Sequence, residues 1–439
     1  MQAVIMAGGK GTRLATVTKN IPKPMVPLEG KALLEYQIEN LKDNGVNKII
    51  LIVGYLGDVI QDHFGDGNSF GVNISYYVEE TPLGTAGALA KIKEQLEDTF
   101  FLVFGDLFIN INYERFFAFH NKKNSLITLF AHPNSHPYDS DIIIVDDDDR
   151  VSGWSYKKEV RTEDYRNLVN AGLYVMQKDV VEEIEKVQTL KSEDKVDLEK
   201  DLIIPLISSK PIFAYHSTEY VKDIGTPDRL QKVTADFIHG VCEQRNLVHK
   251  QKCIFLDRDG TINKYVGFLN NVDQVELEPN AAEAIRLINE SEYLAIVITN
   301  QPVVARGECS FEELNRIHNR IYTLLGKDGA YVDGLFFCPH HPDKGFEGEV
   351  QELKIECNCR KPQIGMIKLA ENEFNADLSE SWFIGDTTID VKTGINAGMH
   401  TIMLRSGDPK KDKFDVKPDF TADDLLAAVK KILFDGTAE

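Results

Sequence analysis

The sequence predicts an α/β protein made of two successive doubly wound domains. Three observations carry this expectation. Short apolar runs alternate with amphipathic segments through the first half, a second strand–helix series restarts at CIFLDRDG (253–260), and 439 residues exceed the roughly 100–200 of one domain. In the first series AVIMAG reads as a buried strand and ALLEYQIENLKDNG as a helix closing at Gly45. KIILIVGY then reads as a strand, GDVIQDHFG as a helix, ISYYVEE as a strand, TAGALAKIKEQL as a helix and FFLVFGD as a strand. In the second series AAEAIRLINESE reads as a helix, LAIVITN as a strand, FEELNRIHNRIYTLLG as a helix and GLFFCP as a strand. GMIKLAENEF is a further helix, SWFIGD a strand and HTIMLR the last strand. The join falls in FIHGVCEQRNLVHKQK, so the expected domains are 1–238 and 251–439 with a linker over 239–250. No internal repeat relates the halves. The run DDDDR (146–150) reads as a solvated turn. Ligands of such sheets sit beyond the carboxyl ends of the strands.

Composition narrows the function. Hydrophobic residues make up 43% and aromatic ones 9%, enough for ordinary cores. The net charge of −20 and pI near 5.1 lack the basic footprint of a nucleic-acid binder. An acidic protein that takes anionic substrates must use backbone N–H groups, a few Lys and Arg, and metal ions. MQAVIMAGGKGTRL is not a signal peptide, and no apolar run reaches the roughly 20 residues that span a bilayer. A soluble cytoplasmic protein is expected, with no membrane and no nucleic-acid partner. A homo-oligomer is one option for its assembly. Of six cysteines, Cys338, Cys357 and Cys359 cluster with histidines, which suggests a metal site in a reducing compartment.

The first loop, AGGKGTRL, puts Gly8, Gly9 and Gly11 after an apolar strand. Closely spaced glycines let N–H groups approach phosphate oxygens, and Arg13, after Thr12, adds a forked cation suited to a triphosphate. The P-loop spacing fails, because Lys10 is followed by Gly11. Lys23 lies between Pro22 and Pro24, which stiffen the backbone around its ammonium.

GGKGTRL with PKPM resembles the sugar-1-phosphate nucleotidyltransferase family. TPLGTAGAL (81–89) is similar to that family's base-lining segment, FGD (104–106) and KDIGTP (222–227) to its two metal aspartates, and NAGLYV (170–175) to its sugar strand. The resemblance covers about residues 1–235. It implies a Rossmann-like domain in which a sugar 1-phosphate attacks the α-phosphorus of a nucleoside triphosphate and pyrophosphate leaves. Asp106 and Asp223 would hold Mg²⁺, Arg13 the pyrophosphate and Lys23 the sugar phosphate. The glycine loop with Thr12 would line the phosphates, Gly84 and Thr85 the base, and Asn170 and Gly172 the sugar. Two departures concern the sugar: WSYKKEVRTEDY stands where relatives carry Glu-Lys-Pro, leaving Lys157 or Lys158 as the phosphate lysine, and Phe104 stands where a polar residue is common.

In CIFLDRDGTIN, Asp257 and Asp259 are two apart at a strand end. In extended structure both carboxylates would face one pocket, where a cation keeps them ionised. D-x-D-G-T, then TNQ (299–301), RKP (360–362) and GDTTID (385–390), resemble in order the four motifs of haloacid dehalogenase-type phosphatases. The resemblance implies a second Rossmann-like domain with Asp257 as nucleophile and Asp259 as general acid and base. Thr299, Asn300 and Lys361 would sit on the phosphoryl group. Asp257, Asp386 and the Asp259 carbonyl would hold Mg²⁺, with Asp390 orienting the set. Between the motifs, Cys338, His340, Cys357 and Cys359 fit a closed tetrahedral Zn²⁺ site, with His341 as an alternative to His340.

A zinc loop in this fold resembles two phosphatase groups, those for D-glycero-D-manno-heptose 1,7-bisphosphate and for histidinol phosphate. CPHHP, CNCRKP and ARG (305–307) favour the heptose group, where Arg306 and Arg360 would clamp a second phosphate. Pro302 and Val303 depart from its usual Ser-Gly. A 7-phosphatase leaves heptose 1-phosphate, which a guanylyltransferase could couple to GTP, so the two resemblances together imply one bifunctional enzyme of nucleotide-activated heptose synthesis. Transfer from dTTP, UTP or CTP, a non-catalytic N-terminal sensor, and a DNA-end-repair phosphatase are the contrasting options. The last has neither a kinase P-loop nor a basic surface in its favour.

Overall fold

The computed structural model describes residues 1–9, 21–407 and 413–435. The chain forms two compact units. The first comprises Met1–His132, Ile143–Ser155 and Asn170–Val248. The second comprises Pro133–Ile142, Tyr156–Val169 and His249–Glu439.

In the first unit the strand Gln2–Met6 is central, because Ala3, Val4 and Ile5 are fully buried and must be covered on both faces. It pairs in parallel with Lys48–Val53 and Thr99–Phe104, and Lys48–Val53 pairs in parallel with Asn73–Val78. Beyond Thr99–Phe104 the sheet turns mixed, since Val169–Gln177 runs antiparallel to it. The four strands read from the sequence are thus parallel as a doubly wound sheet expects, and Ile127–His132 and Ile212–His216 form a further parallel pair in the same sheet. The helix Leu33–Asp43 buries Leu34, Ile38 and Leu41 at helical spacing, and the Glu35 side chain accepts from the Ala32 N–H. Gly45, at φ +77°, ends that segment as expected. The expected helix TAGALAKIKEQL is instead broken into Gly87–Lys91 and a 3₁₀ turn, Lys93–Gln95. Leu89, Ile92 and Leu96 are all buried across that break. Asp146–Asp148 form an exposed turn in which the Asp146 carboxylate accepts from the Asp148 and Arg150 N–H groups.

The second unit has a wholly parallel six-stranded sheet in the order Gly334–Cys338, Leu294–Asn300, Cys253–Leu256, Trp382–Gly385, His400–Leu404, Phe420–Ala422. The outermost strand was not expected, because HTIMLR reads as the last one. Phe420–Ala422 is three residues long with two of them exposed, so it carries no apolar run to read. Among the described residues no helix is long and apolar enough to cross a membrane.

Candidate active sites

In the first unit the carboxyl ends of four neighbouring parallel strands lead into Ala7–Gly9, Gly54, Glu79 and Gly105–Asp106. Lys23, on a single 3₁₀ turn, forms an ion pair with Asp106. Asp223 ends the strand Tyr220–Asp223, which pairs antiparallel with Leu107–Asn110 so that Asp223 faces Leu107. The Ile224 N–H donates to the Asp106 carbonyl at 3.0 Å, which sets the two aspartates side by side. Asp223 pairs with Arg229. Burial pushes its carboxyl up, but the Arg229 and Gly225 N–H bonds and the charges of Arg229 and Lys23 hold it below the usual range.

Gly84 has φ +80°, and a Cβ there would run into the Val196 carbonyl, so only glycine fits. Thr85 Oγ1 accepts from the Leu198 N–H at 2.7 Å, fastening the same segment. Asn170 donates to Tyr174 Oη at 2.7 Å and to the Glu199 carboxylate at 2.8 Å, and Gly172 lies against Phe104. Gly11, Thr12 and Arg13 lie outside the described residues. Two carboxylates were missed by the sequence reading. Glu199 meets Asn170 only through the fold. Glu79 takes the Leu83 N–H at 3.2 Å and lies against Gly8 and Gly54, and burial raises its pKa. The only sequence signal for Glu79 is its position just after a parallel strand.

In the second unit three adjacent strands end in Asp257, Thr299–Asn300 and Asp386, so sheet order alone gathers residues far apart in sequence. Carboxylate oxygens of Asp257, Asp386 and Asp390 all lie within 4.8 Å of one another and are buried. Lys361 Nζ reaches Asp257 at 2.8 Å and Asp390 at 2.6 Å. Asp390 also accepts from the Thr387 N–H and hydroxyl. Burial pushes the Asp257 carboxyl up to about 7, against Lys361 and with Asp390 and Asp386. Three buried carboxylates beside one ammonium are the donor set of a hard divalent cation. Gly260, at φ +85°, sits so close to Asp386 that a Cβ would overlap its carboxylate.

The Asp259 carboxylate is not one of these clustered groups, although its partner Gln301 also reaches Thr299. The strand ends at Leu256, and the following turn aims the carboxylate at Arg258, Asn263 and Gln301. Thr299 is buried and its hydroxyl accepts from Gln301. Asn300 and Lys361 lock two loops together: Asn300 Oδ1 accepts from the Lys361 N–H at 2.9 Å and Asn300 Nδ2 donates to the Lys361 carbonyl at 3.2 Å.

The four atoms Cys338 Sγ, His340 Nδ1, Cys357 Sγ and Cys359 Sγ also lie within 4.8 Å of one another. Sulfur separations of 3.2–3.6 Å approach the tetrahedral edge implied by metal–sulfur bonds of about 2.3 Å. His341 is not in this group; its Nδ1 accepts from the Asp343 N–H. Arg360, next in the chain, donates to the His340 carbonyl. The Arg306 guanidinium lies between the Phe268 and Phe346 rings, 4.0 and 4.2 Å from their centroids. Lys354 Nζ stands 4.5 Å over Phe346, a neighbour the sequence did not single out. Among the described residues, Arg306 Nε and Lys354 Nζ are buried without a hydrogen-bond partner, with the Glu349 carboxylate 3.6 Å from Lys354 Nζ.

The comparisons with known proteins divide along the same line. The nucleotidyl transferase family matches residues 2–239, and the HAD-hydrolase-like family matches residues 358–428. Mannose-1-phosphate guanylyltransferase of Mycobacterium tuberculosis is 30% identical over 55% of the chain and 66% of its own length, so the chain spans just under two thirds of that enzyme. UTP–glucose-1-phosphate uridylyltransferase of Synechocystis is 31% identical over 81% of the chain and 92% of its own length. D-glycero-beta-D-manno-heptose-1,7-bisphosphate 7-phosphatase of Yersinia pestis is 33% identical over 41% of the chain and 94% of its own length. The chain belongs to the nucleotidyl transferase family and carries, fused behind that domain, an HAD-type phosphatase domain related to the heptose bisphosphate phosphatases.

Proposed function

We propose that the chain makes a nucleotide-activated heptose in two steps, with 1–238 and 251–439 as the two catalytic domains joined by 239–250, and that it works in the cytoplasm. The phosphatase half removes the 7-phosphate of D-glycero-D-manno-heptose 1,7-bisphosphate, and the other half transfers guanylyl from GTP to the heptose 1-phosphate that results. The observation that carries this reading is the Asp257–Lys361–Asp390–Asp386 cluster, lying in the half that aligns with 94% of a heptose bisphosphate phosphatase.

In the phosphatase half, an Asp257 oxygen attacks the phosphorus and takes the phosphoryl group, while Asp259 gives a proton to the leaving sugar oxygen. Asp259 then takes a proton from the water that hydrolyses the aspartyl-phosphate. Thr299 and Lys361 hold phosphoryl oxygens, and Asn300 holds Lys361 in place. Asp257, Asp386 and the Asp259 carbonyl would hold Mg²⁺, which supplies charge neutralisation at the phosphoryl group. Arg306, with its unused Nε–H, and Arg360 suit the second phosphate.

In the nucleotidyl half no protein nucleophile is needed. Lys23 holds the sugar phosphate beside Asp106 and Asp223, which would ligate a second Mg²⁺ together with triphosphate oxygens. Arg13, Gly8, Gly9, Gly11 and Thr12 line the triphosphate. Gly84 and Thr85 line the base, and Asn170, Glu199 and Gly172 the sugar. The Glu79 carboxylate, near that loop, can accept from the donor edge of guanine. Transfer from UTP is the second reading, favoured by the Synechocystis uridylyltransferase aligning over 81% of the chain.

Mass spectrometry of products from heptose 1,7-bisphosphate with equal GTP, UTP, dTTP and CTP tests both readings. GDP-heptose is the expected product, UDP-heptose would move the assignment to the second reading, and no heptose product would sink both. The four-ligand cluster would hold structural Zn²⁺. Replacing Cys357 by serine should therefore cut bound zinc, about one per chain, to near zero by elemental analysis and lower phosphatase activity and melting temperature together.

A further inference from the structure

Arg258 has the largest fully buried side chain among the described residues. A buried guanidinium persists only where its N–H groups are used. Here Nε and Nη2 reach Asp259 Oδ1 at 3.2 and 2.9 Å, and Nη2 also reaches Oδ2 at 2.8 Å. Nη1 lies 3.2 Å from His318 Nε2. Arginine has only donors, so His318 Nε2 accepts and the imidazole carries its proton on Nδ1. His318 comes from the buried face of the helix Phe311–Lys327, flanked by Leu314, Ile317 and Ile321, and packs 5.3 Å from the Phe337 ring. The helix thus holds the arginine, and the arginine holds the aspartate. Asn263 and Gln301 complete the grip on the same carboxylate at 2.9 and 2.8 Å.

We propose that Arg258, braced by His318, is a positioning residue for Asp259 that serves chiefly the hydrolytic half of the phosphatase reaction. This rests on the aspartyl-phosphate reading above. In that half a water oxygen bonds to phosphorus, the bond from phosphorus to the Asp257 oxygen breaks and its electron pair returns to the carboxylate, and the water proton passes to Asp259. That step needs Asp259 as an anion with a fixed orientation. Donors from Arg258, Asn263 and Gln301 on its two oxygens supply both. Forming the aspartyl-phosphate needs the opposite state, a proton on Asp259, and gains less from the brace.

The test is rapid acid quench of the full-length enzyme turning over heptose 1,7-bisphosphate labelled at the 7-phosphate, with phosphoenzyme and released phosphate both counted. His318→Leu removes the acceptor, and His318→Gln returns one near the position of Nε2. His318→Leu should lower kcat by about tenfold to a hundredfold and lower KM with it, leaving kcat/KM nearly unchanged, and phosphoenzyme should build up in the steady state. His318→Gln should recover most of kcat and clear the build-up. Arg258→Lys, which keeps a buried cation but loses the fork, should also build up phosphoenzyme and serves if His318→Leu does not fold. Equal losses in the Leu and Gln variants, or no build-up in any variant, would overturn the proposal. Retained phosphate release in Asp257→Asn would instead sink the aspartyl-phosphate reading itself.

Discussion

Asp257→Asn should abolish phosphate release from heptose 1,7-bisphosphate, by about 10⁴-fold or more, while pyrophosphate release from supplied heptose 1-phosphate and GTP stays within about twofold. The amide is nearly the size of the carboxylate, so the fold should survive, and Lys361 keeps its contact with Asp390. What is lost is the attacking oxygen anion and one of three clustered carboxylates. Paired assays of phosphate and pyrophosphate on one preparation make the measurement. Loss of both activities would contradict independent sites, and retained phosphate release would remove Asp257 from the chemistry.

Lys23→Ala should give the mirror image. Pyrophosphate release should fall by about 10²–10³-fold while phosphate release is unchanged. The lysine does two things at once. Its ammonium neutralises Asp106 and lies beside Asp223, and it is the cation placed to receive the sugar phosphate. Its removal leaves two neighbouring carboxylates and an incoming anion with less positive charge among them. Lys23→Arg should recover part of the rate by restoring charge without the point geometry. Unchanged pyrophosphate release in Lys23→Ala would reduce the lysine to a structural partner of Asp106.

The sequence is most legible where local chemistry and strand ends coincide. Asp257, Thr299 and Asp386 each follow a run of fully buried residues, and a polar residue ending such a run marks the carboxyl edge of a parallel strand. The Cys338–His340 and Cys357–Cys359 pairs were legible for a similar reason, since metal ligands come in short spacings within one loop. Arg258 was passed over because a charged residue between the two aspartates of D-x-D looks solvent-facing in a one-dimensional pattern. Its burial is created by the helix Phe311–Lys327 packing over it. Lys354, Glu79 and Glu199 escaped likewise, because their neighbours are supplied by other elements.

From the sequence came the two α/β domains and the strands whose ends carry the candidate site residues, while the reaction class of each half came from the resemblance of its motifs to known families. The domains and strand ends follow from periodicity and the chemistry of individual side chains, which are local properties. Tertiary structure alone decided the antiparallel turn of the first sheet, the sixth strand of the second, the choice of His340 over His341 and the direction in which Asp259 points. Each of these depends on which distant segment reaches a given hydrogen-bonding group first, and that competition is settled by packing of the whole chain.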